Sequence, residues 1–314
     1  MSLSIIQISD IHLKENNNSI FDRWDKFIDA CISRVLDDDD VVLLISGDIA
    51  FSGKKTQYEI ANTMIDKLTT SLQEKKHCRV HYVFAPGNHD CDFEKETSIR
   101  SSLISTINND ADLKIYEAMT EIQSEYYSFC HSYNLNDNNL ISKVDFVFNN
   151  KKVLFLIINS AWMSVIEENP GRIIVPDCFI PEVNNREYSA VFTVMHHPIN
   201  WYNPDYQKPI VDFIRKNTDL LFVGHEHIVD TINMSGIKWS IKEIKAQELQ
   251  DSDSFDSGFF VLNFDDSFKN YYLNEFKWNN DTDKKLFERV RKSEEVFLKT
   301  RQSTIRCFNL MIMH

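Results

Sequence analysis

Five short polar strings interrupt this 314-residue chain in order, and each follows a run of apolar, largely β-branched residues. The strings are Asp10-Ile11-His12, Gly47-Asp48, Gly87-Asn88-His89-Asp90, His196-His197 and Gly224-His225-Glu226-His227. The runs before them cover residues 5–8, 41–45, 80–85, 191–195 and 220–223. Apolar runs of this length, bounded by turn residues, read as buried strands. Every string therefore sits where a strand gives way to a loop. In open α/β sheets, ligands gather outside the carboxyl ends of the strands. Five strand ends thus deliver Asp, Asn and His to one rim.

Those residue types point to a metal centre. Oxygen and imidazole donors without thiolates suit manganese, iron, zinc or nickel better than a soft-metal or iron–sulfur site. One carboxylate can bridge two ions at roughly 3.5–4 Å, the spacing of two-metal hydrolysis. Six of the ten His lie inside the five strings, and three of the seven Gly immediately precede string residues. Gly there lets the backbone turn sharply and brings a ligand-bearing loop close to an ion. A lone Asp-x-His or Gly-Asp is common in loops; five strings in order, each after a strand, are not.

In this order the strings resemble the calcineurin-like metallophosphoesterase superfamily, whose pattern is DxH, GD, GNH(D/E), H and GHxH. The resemblance spans about residues 4–230 and is complete at every ligand position. It implies an α/β fold, a four-layer α/β/β/α sandwich, with two divalent ions at one edge, manganese first and iron, zinc or nickel as alternatives. Carried over residue by residue, it implies that Asp10, His12 and His227 hold one ion and Asn88, His196 and His225 the other, with Asp48 bridging both. His89 would face the scissile phosphate as proton donor or transition-state stabiliser, oriented by Asp90. A hydroxide bridging the ions would attack phosphorus in line.

Residues 20–36 and 57–73 carry apolar side chains at helical spacing, so the chain opens as β-α-β-α-β with parallel central strands. Residues 98–107 and 113–133 read as amphipathic helices, an insertion over about 92–135 that is either a lid beside the catalytic loop or a peripheral hairpin. Residues 144–148 and 153–158 read as a strand pair joined at Asn149-Asn150. Trp162 reads as structural. Segments 239–244, 259–264 and 271–278 read as strands, which the resemblance implies complete a second sheet, with 251–256 a solvated acidic loop. The charged segment 283–300 reads as a surface helix. The expected division is a metallophosphoesterase domain over 1–280 and a C-terminal helical tail over 281–314. The tail's apolar end would dock on this domain, a second copy or further polypeptide.

The net charge of −13 argues against broad attraction to nucleic acid. Six Cys without CxxC or framework spacing suggest a reducing compartment. Cys91, directly after the Gly-Asn-His-Asp string, reads as supporting rather than reactive. No signal-like or membrane-spanning run is present, which reads as cytoplasmic with no membrane partner. The second motif lacks the GDxxDRG form typical of protein Ser/Thr phosphatases, and the third ends in Asp90. The form looks most like bacterial phosphodiesterases acting on nucleotides or related diesters. The expected activity is therefore metal-dependent hydrolysis of a phosphodiester, nucleotide or nucleic-acid in type. A DNA or RNA nuclease of the repair-exonuclease type is the nearest alternative. A binding scaffold that keeps the fold without the chemistry is the alternative from another class.

Overall fold

The computed structural model describes residues 3–227, 230–236, 239–250, 257–268, 270–281 and 285–296. Strands β1 (Leu3–Ile8), β2 (Asp40–Ser46) and β3 (Arg79–Ala85) pair in parallel, as the two crossover helices α1 (Trp24–Ile32) and α2 (Lys55–Lys76) require. Both faces of β1 and β2 are covered, which is why they read as unbroken apolar runs. Ile6, Ile8, Leu43 and Ile45 turn towards Phe27, Ile65 and Leu68 of α1 and α2. Leu3, Ile5, Val42 and Leu44 turn the other way, into a second core between two sheets.

The segment after β3 is helical, in three pieces: α3 (Ser98–Thr106), α4 (Leu113–Thr120) and α5 (Ser124–Ser132). The single helix expected over 113–133 is broken by a 3-10 turn at Glu121–Gln123, where Ile122 and Gln123 are buried. These pieces are anchored, because Tyr126 and Phe129 join the core beneath α2 while Tyr116 and Met119 join a third core. Strands β4 (Ile141–Phe148) and β5 (Lys151–Ile158) form the expected hairpin. Asn149 and Asn150 have φ of 48° and 61°, the left-handed pair that a type I′ turn needs.

Strands β6 (Ala190–Met195) and β7 (Leu220–Val223), with α6 (Lys208–Asn217) between them, extend β5 in parallel. Strands β8 (Asp230–Gly236) and β9 (Trp239–Lys245) form a hairpin beside β7. The next strands, β10 (Gly258–Phe264) and β11 (Asn270–Asn279), cross to the first sheet, where β10 lies antiparallel to β1. The expectation that 239–244, 259–264 and 271–278 share one sheet is thus corrected. Period alone says which segments are strands but not which edge accepts them. The sheets run β12-β11-β10-β1-β2-β3 and β4-β5-β6-β7-β9-β8. Between them pack Phe155, Phe192, Phe222 and Phe260, each worth about 1.5–3 kcal/mol of burial. With α1, α2 and α5 on one outer face and α6 on the other, the architecture is the four-layer α/β/β/α sandwich.

The helical tail is also corrected. Residues Leu286–Val296 form strand β12, paired antiparallel with β11 through a bulge at Glu275/Phe276. The helical spacing of Leu286, Phe287 and Val290 misled because only Phe287 is fully inside, against Phe27, Phe259 and Trp278, whereas Val290 is exposed. Pairing with a remote open edge outweighs the local period. The 251–256 loop and the tail beyond 296 lie outside the described residues. Among the described residues no helix is long and apolar enough to cross a membrane.

Candidate metal centre

The loops after β1, β2, β3, β6 and β7 open onto one edge of the sandwich and are laced together through their backbones. Asp10 N–H donates to Gly47 O and His12 N–H to Asp48 O, both at 3.0 Å, and Gly224 N–H donates to His196 O at 3.0 Å. The glycines are there for clearance. A Cβ at Gly87 would stand 2.1 Å from Asp48 Oδ1. One at Gly47, whose φ is +103°, would stand 2.3 Å from His196 Nδ1. Five of the expected ligands bend their own backbone into the left-handed region: Asp10 (52°), His12 (50°), Asp48 (56°), His225 (70°) and His227 (55°). Non-glycine residues there store strain that a rigid scaffold must hold.

All seven expected ligands meet at this edge. Asp10, His12 and His227 form one group with ligand atoms within 4.8 Å of one another, and Asp10, Asp48 and His196 form another. Asp48 Oδ2 stands 3.8 Å from His12 Nε2 on one side and 3.2 Å from His196 Nε2 on the other. His196 Nε2 is also 3.1 Å from Asn88 Oδ1 and 3.2 Å from His225 Nδ1. The Nδ1–H of His196 donates to the Ser46 carbonyl at 2.8 Å, so Nε2 is the nitrogen turned towards the cluster. A carboxylate oxygen, an amide oxygen and two imidazole nitrogens therefore converge on one spot. Asp10 Oδ1 is buried without a hydrogen-bond partner, 3.4 Å from His227 Nε2. Convergent acceptors and an orphaned carboxylate oxygen are what a pair of divalent cations satisfies.

The electrostatics carry the same message. Burial works against charge on Asp10, yet His227 and His196 outweigh it and pull the carboxyl down to about 2. Burial likewise opposes a charged His196, but Asp48 beside it lifts the imidazole to about 10. The Asp10 and Glu248 carboxylates raise His227 to about 10. Burial, with His196 and His197 close by, drops His225 to about 3. The carboxylates thus favour positive charge at His196 and His227, while burial opposes it at His12 and His225.

His89 is part-exposed at the same edge. Its backbone N–H donates to Asp48 Oδ1 at 2.8 Å, and its Nδ1–H donates to the Phe51 carbonyl at 2.7 Å. The expectation that Asp90 orients His89 is corrected. The fully buried Asp90 carboxylate accepts from Gly87 N–H (2.9 Å), Ala50 N–H (2.9 Å), Ile49 N–H (3.3 Å) and Tyr58 O–H (2.9 Å). It ties the Gly47-Asp48 loop to the Gly87-Asn88 loop. Burial and the nearby Asp48 charge raise it to about 6. Phe51 is the residue that sets the ring of His89.

Further residues support the site, and of these Glu248, Glu168 and Trp201 have no signal in the sequence. Glu248 Oε2 accepts from His227 Nδ1–H at 2.8 Å, a carboxylate behind an imidazole of the kind that fixes a metal ligand's tautomer. His197 is committed on both nitrogens, to Ser160 Oγ and Glu168 Oε2, each at 3.0 Å. The ring of Trp201 stands edge-on to His225, centroids 4.2 Å apart. Glu226 is held by Asn200, Trp201 and Lys245. Cys91 is fully buried, and burial pushes its thiol far up, as befits a supporting residue. Trp162 is buried with its Nε1–H on the Ile174 carbonyl, and is structural.

A two-sheet sandwich with an Asp, Asn and His cluster at its strand ends defines a metallophosphoesterase-type protein. The family model for calcineurin-like phosphoesterases matches residues 3–229, and the chain belongs to that family. No curated protein sequence matches it. Among solved structures it is similar to Vacuolar Protein Sorting 29 from Cryptosporidium parvum, at 10% identity over 95% of this chain and 99% of that one, TM-score 0.42. It is also similar to GAP50, the anchor in the inner membrane complex of Plasmodium, at 12% identity over 96% and 90%, TM-score 0.44. A conserved Streptococcus pneumoniae protein described as a predicted phosphoesterase aligns at 10% identity over 94% and 98%, TM-score 0.37.

Proposed function

We propose that this chain is a metal-dependent phosphodiesterase working through a dinuclear centre. The observation that carries the reading is the convergence of Asp, Asn and His ligand atoms on both sides of Asp48. Asp10, His12 and His227 would hold one ion, and Asn88, His196 and His225 the other, with Asp48 shared. Bound divalent ions, manganese first among the candidates, supply a water-derived nucleophile near neutral pH and neutralise charge on phosphoryl oxygens. The chain's own contribution is orientation and a proton. Asp48 is fixed by the His89 N–H, and Glu248 holds His227 from behind. With Nδ1–H of His89 anchored on Phe51 O, its Nε2 is left for substrate. When protonated there, it gives that proton to the leaving ester oxygen, a contribution typically about 10²–10⁴-fold.

The test is a screen of manganese-loaded protein against model mono- and diesters, cyclic nucleotides, and single- and double-stranded DNA and RNA, with bound metal counted alongside. His89→Ala should lower kcat by about 10²–10⁴-fold with the far-UV circular dichroism unchanged, and Asp48→Ala should lose both activity and metal. Full diester hydrolysis in both variants would sink the proposal. A parent that binds no transition metal would favour the scaffold reading.

A further inference from the structure

Two recesses meet at His89, and they differ in chemistry. The first, about 440 Å³, is lined by Lys14, Asn17, Ser19 and Gln250 beside His12 and His227. The second, about 230 Å³, lies across Phe51, with Phe93, Val165 and Ile166 lining it together with Lys54, Asp92 and Glu94 beside Asn88 and His89. Phe51 and His89 line both. The Phe51 ring is the partition, its centroid 5.4 Å from that of His89, and the Lys14 ammonium sits over it at 4.4 Å on the polar side.

The second recess has an apolar rim where a charged centre gives no reason for one. Ile166 is 80% exposed, Phe51 41% and Val165 36%. One exposed aliphatic residue is ordinary; three around one opening form a binding surface. The lysine in that recess is already spent, with Lys54 Nζ 2.6 Å from both Asp92 and Glu94. A nucleic-acid strand needs a row of cations for its successive phosphates. Among the described residues neither recess offers one, since Lys14 is the single lysine lining the first.

Resting on the phosphodiesterase reading, we infer that the substrate is a small asymmetric phosphodiester. One ester arm is aliphatic or aromatic and lies against Ile166, Val165 and Phe93. The other is hydroxyl-bearing and lies beside Lys14, Asn17 and Ser19. The phosphate between them sits at His89, and Phe51 keeps the arms apart. A polynucleotide backbone finds no row of cations among the described residues that line the two recesses.

Calorimetric titration of the manganese-loaded protein with dimethyl phosphate, methyl phenyl phosphate and a short oligothymidylate tests this by binding alone. Methyl phenyl phosphate should bind about tenfold or more tighter than dimethyl phosphate, from burial of one ring. Ile166→Asp, at an exposed position with no packing to lose, should bring that ratio to about one. Val147→Asp, on the exposed face of β4, should leave the ratio as it is. Equal affinities for the two diesters in the parent overturn the inference while leaving the metal centre standing. So does an oligothymidylate that outbinds both with a steep salt dependence. A parent that binds neither diester nor metal fails at the phosphodiesterase reading itself and takes the inference with it.

Discussion

Replacing Asp90 with Ala separates two accounts of the Gly-Asn-His-Asp string. If Asp90 orients a catalytic imidazole, its loss should cost turnover and leave the fold alone. Its four donors argue otherwise. Gly87, Ala50 and Ile49 give backbone N–H groups and Tyr58 gives an O–H, all to a carboxylate with no solvent exposure. Each buried donor left without a partner costs about 1–3 kcal/mol. The four are not additive, and removing a carboxylate already disfavoured by burial returns part of the loss. A net destabilisation of about 3–5 kcal/mol follows, a large share of the roughly 5–15 kcal/mol that holds a typical domain together. Urea unfolding followed by tryptophan fluorescence should show the midpoint falling sharply. Asp90→Asn, which keeps one acceptor oxygen, should fall between Ala and parent. His89→Ala, which removes one part-exposed ring, should stay within about 1 kcal/mol of the parent. An Asp90→Ala protein as stable as the parent but as inactive as His89→Ala would refute the bracing role and restore the orienting one.

Gly87→Ala should abolish metal binding at an otherwise folded site, because the new Cβ meets Asp48 Oδ1 at 2.1 Å; full metal occupancy by mass spectrometry would show that the loop can retreat. In a Cys307→Ser background, a native thiol titration should find one fast group, Cys178, since Cys31, Cys78, Cys91 and Cys130 are buried and burial raises all four thiols; two or more fast thiols would show that the core opens readily. Deleting residues 98–133 should yield aggregated protein rather than altered specificity, because Tyr116, Met119, Tyr126 and Phe129 are all core; a monodisperse deletant with retained diester hydrolysis would restore the lid.

The candidate site was legible because its expected ligands are scarce residue types standing at strand ends. A buried parallel strand is a contiguous apolar run, so its carboxyl end is a visible punctuation mark, and Asp10, Asp48, Asn88, His196 and His225 each follow one. The helices α1 and α2 and the Asn149-Asn150 turn were legible for the same local reason. What sequence could not show is what only tertiary contact decides. Glu248 and Glu168 reach His227 and His197 from loops with no pattern of their own. Asp90 sits beside His89 in sequence, yet its side chain turns inward to Ala50 and Tyr58. Strand β12 was hidden because its fate depends on the free edge of β11, and β10 and β11 changed sheets for a similar reason. Local period cannot name a remote partner.

The left-handed backbone at Asp10, His12, Asp48, His225 and His227 bears on how such a protein would age. Each turn costs on the order of 1 kcal/mol relative to a relaxed residue, and glycine or asparagine would remove most of it. Drift at these positions in a lineage that no longer needed the chemistry would therefore run downhill, each lost ligand rewarded with a firmer fold. His12→Asn should accordingly melt higher than the parent once metal is stripped from both, and a lower melting temperature would show that turn to be unstrained. This chain has taken none of the five exits. The strain therefore stays stored at the one edge of the sandwich where the five strings meet.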